Sequence, residues 1–136
     1  MTAKTLYSGT THNVGGADGY TRSTDGFLDL QLAQPHPAAE NLFGAAWSAC
    51  FIAAIGVVAG QKKVFLSEAP TIDATIDVLM DGGAFFLRAK LDVTVPGVDI
   101  ELARELVDAA HEICPYSKAT RGNIEVAVNV LEPAFA

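Results

Sequence analysis

Glu40-Asn-Leu-Phe-Gly-Ala-Ala-Trp-Ser-Ala-Cys-Phe-Ile-Ala-Ala-Ile-Gly-Val-Val-Ala59 decides the fold of this chain. From Leu42 to Ala59 it runs eighteen residues without a charge, with Cys50 near its middle. Such a segment is either a membrane span or the buried axis of a globular fold. Eighteen residues is at the short end for a span, and Ala, Gly and Ser are weak membrane drivers. The flanking sequence decides for the buried axis, because it supplies amphipathic strands whose apolar faces need a cover. The small residues Gly44, Ala45, Ser48, Ala49, Ala53, Ala54 and Gly56 lie on more than one face of this helix and allow another backbone to come close. That pattern predicts a second copy of the chain beside it, a homodimer.

Downstream of the helix, Thr71 to Met80 alternates as a strand, with Ile72, Ile76 and Val78 among its apolar positions. Asp81-Gly82-Gly83 is a hairpin turn, and Phe85 to Val95 returns as the partner strand with Leu87, Ala89, Leu91, Val93 and Val95 on one face. Pro96-Gly97 ends it. Asp99 is a helix N-cap, and Ala103, Leu106, Val107, Ala110 and Ile113 keep helical spacing. After Cys114-Pro-Tyr-Ser117, residues Lys118 to Asn123 read as a short helix or turn, and Ile124 to Leu131 as a last strand.

Upstream, Leu6–His12, Tyr20–Ser23 and Phe27–Leu32 read as a three-strand meander joined by Gly15–Gly19 and the hairpin signal Asp25-Gly26. Pro35-His36-Pro37 closes the meander. Glu40 then suits the first turn of the helix, where a carboxylate meets the positive end of the dipole, and Gly60-Gln61 suits its end. Strands, helix, strands and helix make an α+β domain. At 136 residues this is one domain, 1–136.

The totals narrow the function. Hydrophobic residues are 50% of the chain and charged residues 18%, a composition that folds. A net charge of −7 argues against nucleic acid or an anionic membrane surface as partner. The N-terminus carries no apolar signal-peptide core, so a cytoplasmic location is expected. In that compartment two cysteines far apart in sequence are free, catalytic or redox-active rather than a permanent staple.

Each cysteine alone reads as a small buried hydrophobe. Together, Cys50 and Cys114 also suit a peroxidatic and resolving pair that only folding brings into contact. His12, His36 and His111 have no metal-ligand spacing with the cysteines, and the glycine pairs match no phosphate loop, so no metal or cofactor is expected. His111, one turn before Cys114, reads as a helix-surface or capping histidine, with tuning of that thiol as a second role. Trp47 and Phe51 read as core that also walls Cys50.

Glu40-x-Leu-Phe-x-Ala-x-x-Ser-Ala-Cys50-Phe, Ala59-Gly-Gln61 and Val107-x-Ala-Ala-His-x-x-Cys114-Pro-Tyr-Ser-x-Ala-Thr-Arg-Gly-Asn-Ile124 resemble the organic hydroperoxide resistance (Ohr) family of the OsmC/Ohr superfamily. Gly15-Gly-x-Asp-Gly19 and Ser23-x-Asp-Gly-x-Leu-Asp29 fit as well. The resemblance implies an OsmC-like fold, with antiparallel sheets around long central helices in an intertwined homodimer. It also implies a thiol peroxidase. Cys50 would reduce an organic hydroperoxide, Cys114 would resolve the Cys50 sulfenate as a disulfide, and a dithiol such as a lipoyl group on a lipoylated protein would recycle it.

The family's catalytic arginine aligns with Ala17, and the glutamate that holds it with Glu40. Arg22, five residues beyond Ala17, is the candidate replacement. The alternative reading is an Ohr-like protein with weak or lost peroxidase activity that binds or senses a hydrophobic ligand. Ten residues of straight helix put Glu40 about 15 Å along the axis from Cys50. Either the helix starts after Glu40 or Glu40 serves a site across a dimer interface. A helix-start carboxylate is its simpler role.

Overall fold

A computed structural model describes residues 2–32 and 39–133. The chain divides into two compact units, Met1–Ala38 and Ala39–Ala136. The Pro35–Pro37 break and the residues just before the long helix lie outside the described residues.

The first unit is an antiparallel sheet of β1 (Thr11–Val14), β2 (Tyr20–Ser23) and β3 (Asp29–Gln31) in that order. β2 falls where the sequence pattern predicts it. β1 starts later than the predicted Leu6, because its ladder runs only from Val14↔Tyr20 to Thr11↔Ser23, where β2 turns away. β3 is shorter than predicted, because Phe27 and Leu28 are taken up by the turn. The Phe27 amide donates to the Asp25 carboxylate and the Leu28 amide to the Ser23 hydroxyl. Gly26 (φ 82°) makes that turn in a backbone region that glycine enters freely.

The second unit runs α1 (Ala39–Gln61), β4 (Thr71–Asp81), β5 (Ala84–Thr94), α2 (Ile100–Ile113), α3 (Pro115–Thr120) and β6 (Glu125–Leu131). The β4–β5 hairpin closes through Gly82 and Gly83, both at positive φ (58° and 89°), between the paired Asp81 and Ala84. Two positive-φ residues make the tight turn whose twist matches the strands. β5 is the central strand and has the deepest inward face: Ala89, Leu91 and Val93 are at most 2% exposed. β6 joins β5 in parallel register, Arg88↔Glu125 to Thr94↔Leu131, so this sheet is mixed where antiparallel sheets were expected. The reason lies in the connection. α2 and α3 carry the chain back along the sheet, and a crossover of that length returns a strand in the same direction as the one it left.

α1 has the length and hydropathy of a membrane span. It packs instead as a core helix, with Trp47, Phe51, Ile55 and Val58 buried alongside the inward face of β5 and Leu106, Val107 and Ala110 of α2. Gly44 permits the close approach to β4, since a Cβ there would stand 3.3 Å from the Ala74 Cβ. Val78, predicted on an apolar strand face, is 49% exposed. It stands opposite Leu87, one step along the face beyond Ile76, at the margin of the patch that Ala39, Glu40 and Phe43 at the start of α1 reach. Ile113, the last residue of α2, is likewise 49% exposed.

α1 ends at Gln61, within the predicted Gly60-Gln61 stop, but by another device. The Val64 amide donates to the Ala59 carbonyl (2.8 Å) and the Lys63 amide to the Gly60 carbonyl (3.1 Å), with Lys63 itself at φ 58°. This is the paired 6→1 and 5→2 closure of a Schellman end, with lysine in the position usually held by glycine. α2 starts as predicted, the Leu102 amide donating to Asp99 Oδ1 at 2.8 Å.

Candidate active site

The site forms where α1 meets the elbow between α2 and α3. Pro115 makes the elbow. It has no amide to continue α2, and it drives the preceding residue out of helical geometry. Cys114 therefore sits in extended backbone (φ −64°, ψ 121°), at once the end of α2 and the start of α3. Its amide still closes α2 on the Ala110 carbonyl, and its carbonyl accepts from Lys118.

Cys50 projects from α1 toward this elbow. The two sulfurs are 3.4 Å apart and both thiols are free. They are not equivalent: Cys114 is fully buried and Cys50 is half-buried. Burial pushes the Cys50 thiol up from its ordinary value; a backbone hydrogen bond from Tyr116 pulls it down, and the neighbouring Cys114 adds to the rise. No cation is among the groups that shift it. A thiol held in this way is protonated at neutral pH and needs a positive charge to become a nucleophile.

The wall around the sulfurs is aromatic and tied together. Phe51 is buried and stacks on His111, centroids 5.9 Å apart at 28°. Trp47 is buried and meets Phe43 edge-on at 5.9 Å. The indole N–H of Trp47 donates to Ser117 Oγ at 3.1 Å, and His111 Nδ1 lies 2.9 Å from the same oxygen. Burial, with the Arg121 guanidinium second, holds His111 below its ordinary pKa. That guanidinium donates to the His111 carbonyl at 2.6 Å. His111 is thus tied into the elbow, more than the surface histidine its position suggests. Ser117 was not singled out from the sequence. Its only signal there is its place three residues after Cys114 in a short helix, which does not distinguish a buried hub from a solvated serine.

Glu40 lies in the first turn of α1, which begins at Ala39. The alternative in which the helix starts after Glu40 therefore falls, and Glu40 and Cys50 share one helix about 15 Å apart along its axis. Arg22 belongs to the first unit. It pairs with Asp29 at 3.3 Å, and its guanidinium carbon lies 4.2 Å from the centre of the Tyr20 ring. Ala17 and Arg22 line one cavity of about 330 Å³ with Tyr20, Asp29 and Gln31. Among the described residues, no group of three or more His, Cys, Asp or Glu side chains is arranged to hold a metal ion.

A family model described as OsmC-like protein matches residues 32–129. An organic hydroperoxide resistance protein of Xanthomonas axonopodis pv. citri is 38% identical over 136 residues, covering 93% of this chain and 96% of that one. The organic hydroperoxide resistance protein OhrB of Bacillus subtilis is 36% identical over 126 residues, covering 85% of this chain and 91% of its own length. Its crystal structure matches with a TM-score of 0.82 at 34% identity over 93% of this chain and all (100%) of that chain. The crystal structure of an organic hydroperoxide resistance protein from Elizabethkingia anophelis matches with a TM-score of 0.86 at 35% identity, over 96% of this chain and 100% of that one.

Proposed function

Because the chain belongs to the OsmC/Ohr family, we propose that it is a cysteine-based peroxidase that reduces organic hydroperoxides to alcohols. The relatives' names support resistance to organic hydroperoxides. The observation that carries the chemistry is the 3.4 Å approach of Cys50 to Cys114. In this reading the Cys50 thiolate attacks the peroxide. An S–O bond forms, the O–O bond breaks, and the departing alkoxide takes a proton and leaves as the alcohol. Cys114 sulfur then attacks the sulfenate sulfur. The S–S bond forms, the S–O bond breaks, and the oxygen leaves as water, carrying the thiol proton and one from solvent. A dithiol of the lipoyl type, free or on a lipoylated protein, returns both thiols and is itself oxidised to its disulfide.

The unequal burial supports this assignment of roles. The half-buried sulfur is the one a peroxide reaches, and the fully buried one resolves. The apolar wall of Trp47 and Phe51 suits an alkyl or fatty-acid peroxide over hydrogen peroxide. Arg22 supplies the positive charge that the resemblance assigns to the position of Ala17; that the two line one cavity of the first unit supports Arg22 standing near that position. Glu40 acts across the interface of a homodimer, since helix geometry keeps it from the thiol of its own chain. The dimer is supported by the exposed small face of α1, including Ala45, Ala49, Ala53 and Gly56, and by the exposed Met80 and Phe85. In this reading residues 1–136 work as one functional domain in the cytoplasm.

Cys50→Ser abolishes consumption of an alkyl hydroperoxide with a dithiol reductant; an unchanged rate overturns the assignment. A monomeric mass in sedimentation overturns the dimer. A second reading rests on Ala17 and on the raised Cys50 pKa. In it the protein has lost efficient turnover and binds or senses a hydrophobic ligand.

A further inference from the structure

We infer that Ser117 is a positioning residue for disulfide closure: its buried hydroxyl, held between Trp47 of α1 and His111 of α2, keeps the α2–α3 elbow where Cys114 faces Cys50. The inference rests on the two-cysteine reading above.

Two side-chain links join α1 to the elbow in parallel, beside the backbone hydrogen bond from Tyr116 to Cys50. One is the sulfur pair. The other is Trp47 to Ser117, displaced by three residues on each side: Trp47 precedes Cys50 by three, and Ser117 follows Cys114 by three. Three residues is one helical turn, so the second link lies beside the first. Ser117 is fully buried and so is Trp47. The rest of the elbow is fastened from its own side, by Lys118 to the Cys114 carbonyl and by Arg121 to the His111 carbonyl. Apart from the sulfur pair, it is Ser117 that fastens the elbow to α1 by a hydrogen bond between side chains.

Donor counting orders the protons. An indole N–H only donates, so Ser117 Oγ accepts from Trp47. The single hydroxyl proton is then left for His111 Nδ1, which places the histidine's own proton on Nε2. If His111 gained a second proton, Nδ1–H would also point at Ser117 Oγ. The hydroxyl proton would then lack a partner in a buried place. Closure should therefore slow in acid.

The charged groups facing His111 are Lys62 just beyond the end of α1, Glu105, Asp108 and Glu112 from α2, and Arg121 from the turn after α3. Burial and the Arg121 guanidinium disfavour the charged imidazole more than the Glu112 and Asp108 carboxylates favour it.

The test separates the two chemical steps. One equivalent of an alkyl hydroperoxide is mixed with the reduced protein, the reaction is quenched at intervals, and sulfenate and disulfide are counted by intact mass. With Ser117→Ala, sulfenate at Cys50 forms within about twofold of the native rate while closure slows about tenfold or more. His111→Asn keeps an acceptor where Nδ1 was but cannot titrate, so closure stays near native and slows less in acid than it does in the native protein. Native-rate closure in Ser117→Ala, or an unchanged acid dependence in His111→Asn, overturns the inference. Should Ser117→Ala fail to fold, Trp47→Phe removes the same hydrogen bond and is expected to slow closure likewise; closure at the native rate there overturns the inference. A native protein that forms no sulfenate and no disulfide overturns the two-cysteine reading, and this inference with it.

Discussion

The sulfurs of Cys50 and Cys114 lie 3.4 Å apart although 64 residues separate them, and only Cys50 is open to solvent. A disulfide needs about 2.05 Å between sulfurs, so closure requires a shift of little more than an ångström. The unequal exposure makes the pair directional, and each thiol should respond differently to a reagent added from outside.

Alkylation with iodoacetamide should therefore modify Cys50 first and reach Cys114 only on unfolding. Because burial raises the Cys50 pKa, with the Cys114 neighbour adding to it, the rate should keep climbing with pH beyond about 8.5, where a free thiol begins to level off. Peptide mapping after timed alkylation checks both parts. Equal labelling of the two cysteines in the folded protein would contradict them.

Arg22→Ala should slow the first oxidation of Cys50 by roughly tenfold, the loss of about 1.4 kcal/mol of transition-state stabilisation. Its salt bridge with Asp29 is exposed on both sides, so the melting temperature should hardly move. Adding Ala17→Arg in the Arg22→Ala background should restore the rate. If Arg22→Ala has no effect and Ala17→Arg alone gives a large gain, the weak-peroxidase reading replaces the first. Stopped-flow mixing with an alkyl hydroperoxide, against hydrogen peroxide as control, distinguishes them.

The His111 pKa is lowered by burial and by Arg121. The unfolded chain therefore binds more protons than the folded one between the depressed folded value and about 6.5. The stability this contributes is fully present above about pH 6.5 and is lost as pH falls through the folded value. Urea midpoints should fall across that window in the native protein, and fall less in His111→Asn. A midpoint that rises as pH falls there would reverse the sign of the shift.

Lys63→Gly should stabilise the fold by about 0.5–1 kcal/mol, because glycine adopts φ 58° without the strain a side chain brings. Gly60→Ala should not destabilise, since Gly60 lies inside α1 and a Cβ there meets nothing within 4 Å. Thermal melts of the two variants compare the two accounts of how this helix stops. A loss of stability in Gly60→Ala would return that role to Gly60.

The strands of the β4–β5 hairpin, the Asp99 cap and the buried face of α2 were legible in the sequence, because each depends on neighbours in the chain: alternation, a side chain three residues from an amide, helical spacing. The ends of β1 and β3 were not. They depend on how far a partner strand runs and on which amides a turn consumes. The parallel return of β6 was hidden for a similar reason, since the direction of a strand follows from where the preceding helices cross the sheet.

At the site, sequence by itself determined the chemistry on offer: two thiols, an apolar helix around one of them, and a proline that breaks the chain beside the other. Tertiary structure alone decided that Cys114 is the sealed thiol and Cys50 the open one. It also decided that His111 and Trp47 meet on Ser117, and that Glu40 shares a continuous helix with Cys50 and so stays out of its reach. Those facts come from burial and distance between segments far apart in the chain. Residue type and spacing carry no record of either until packing brings the segments together.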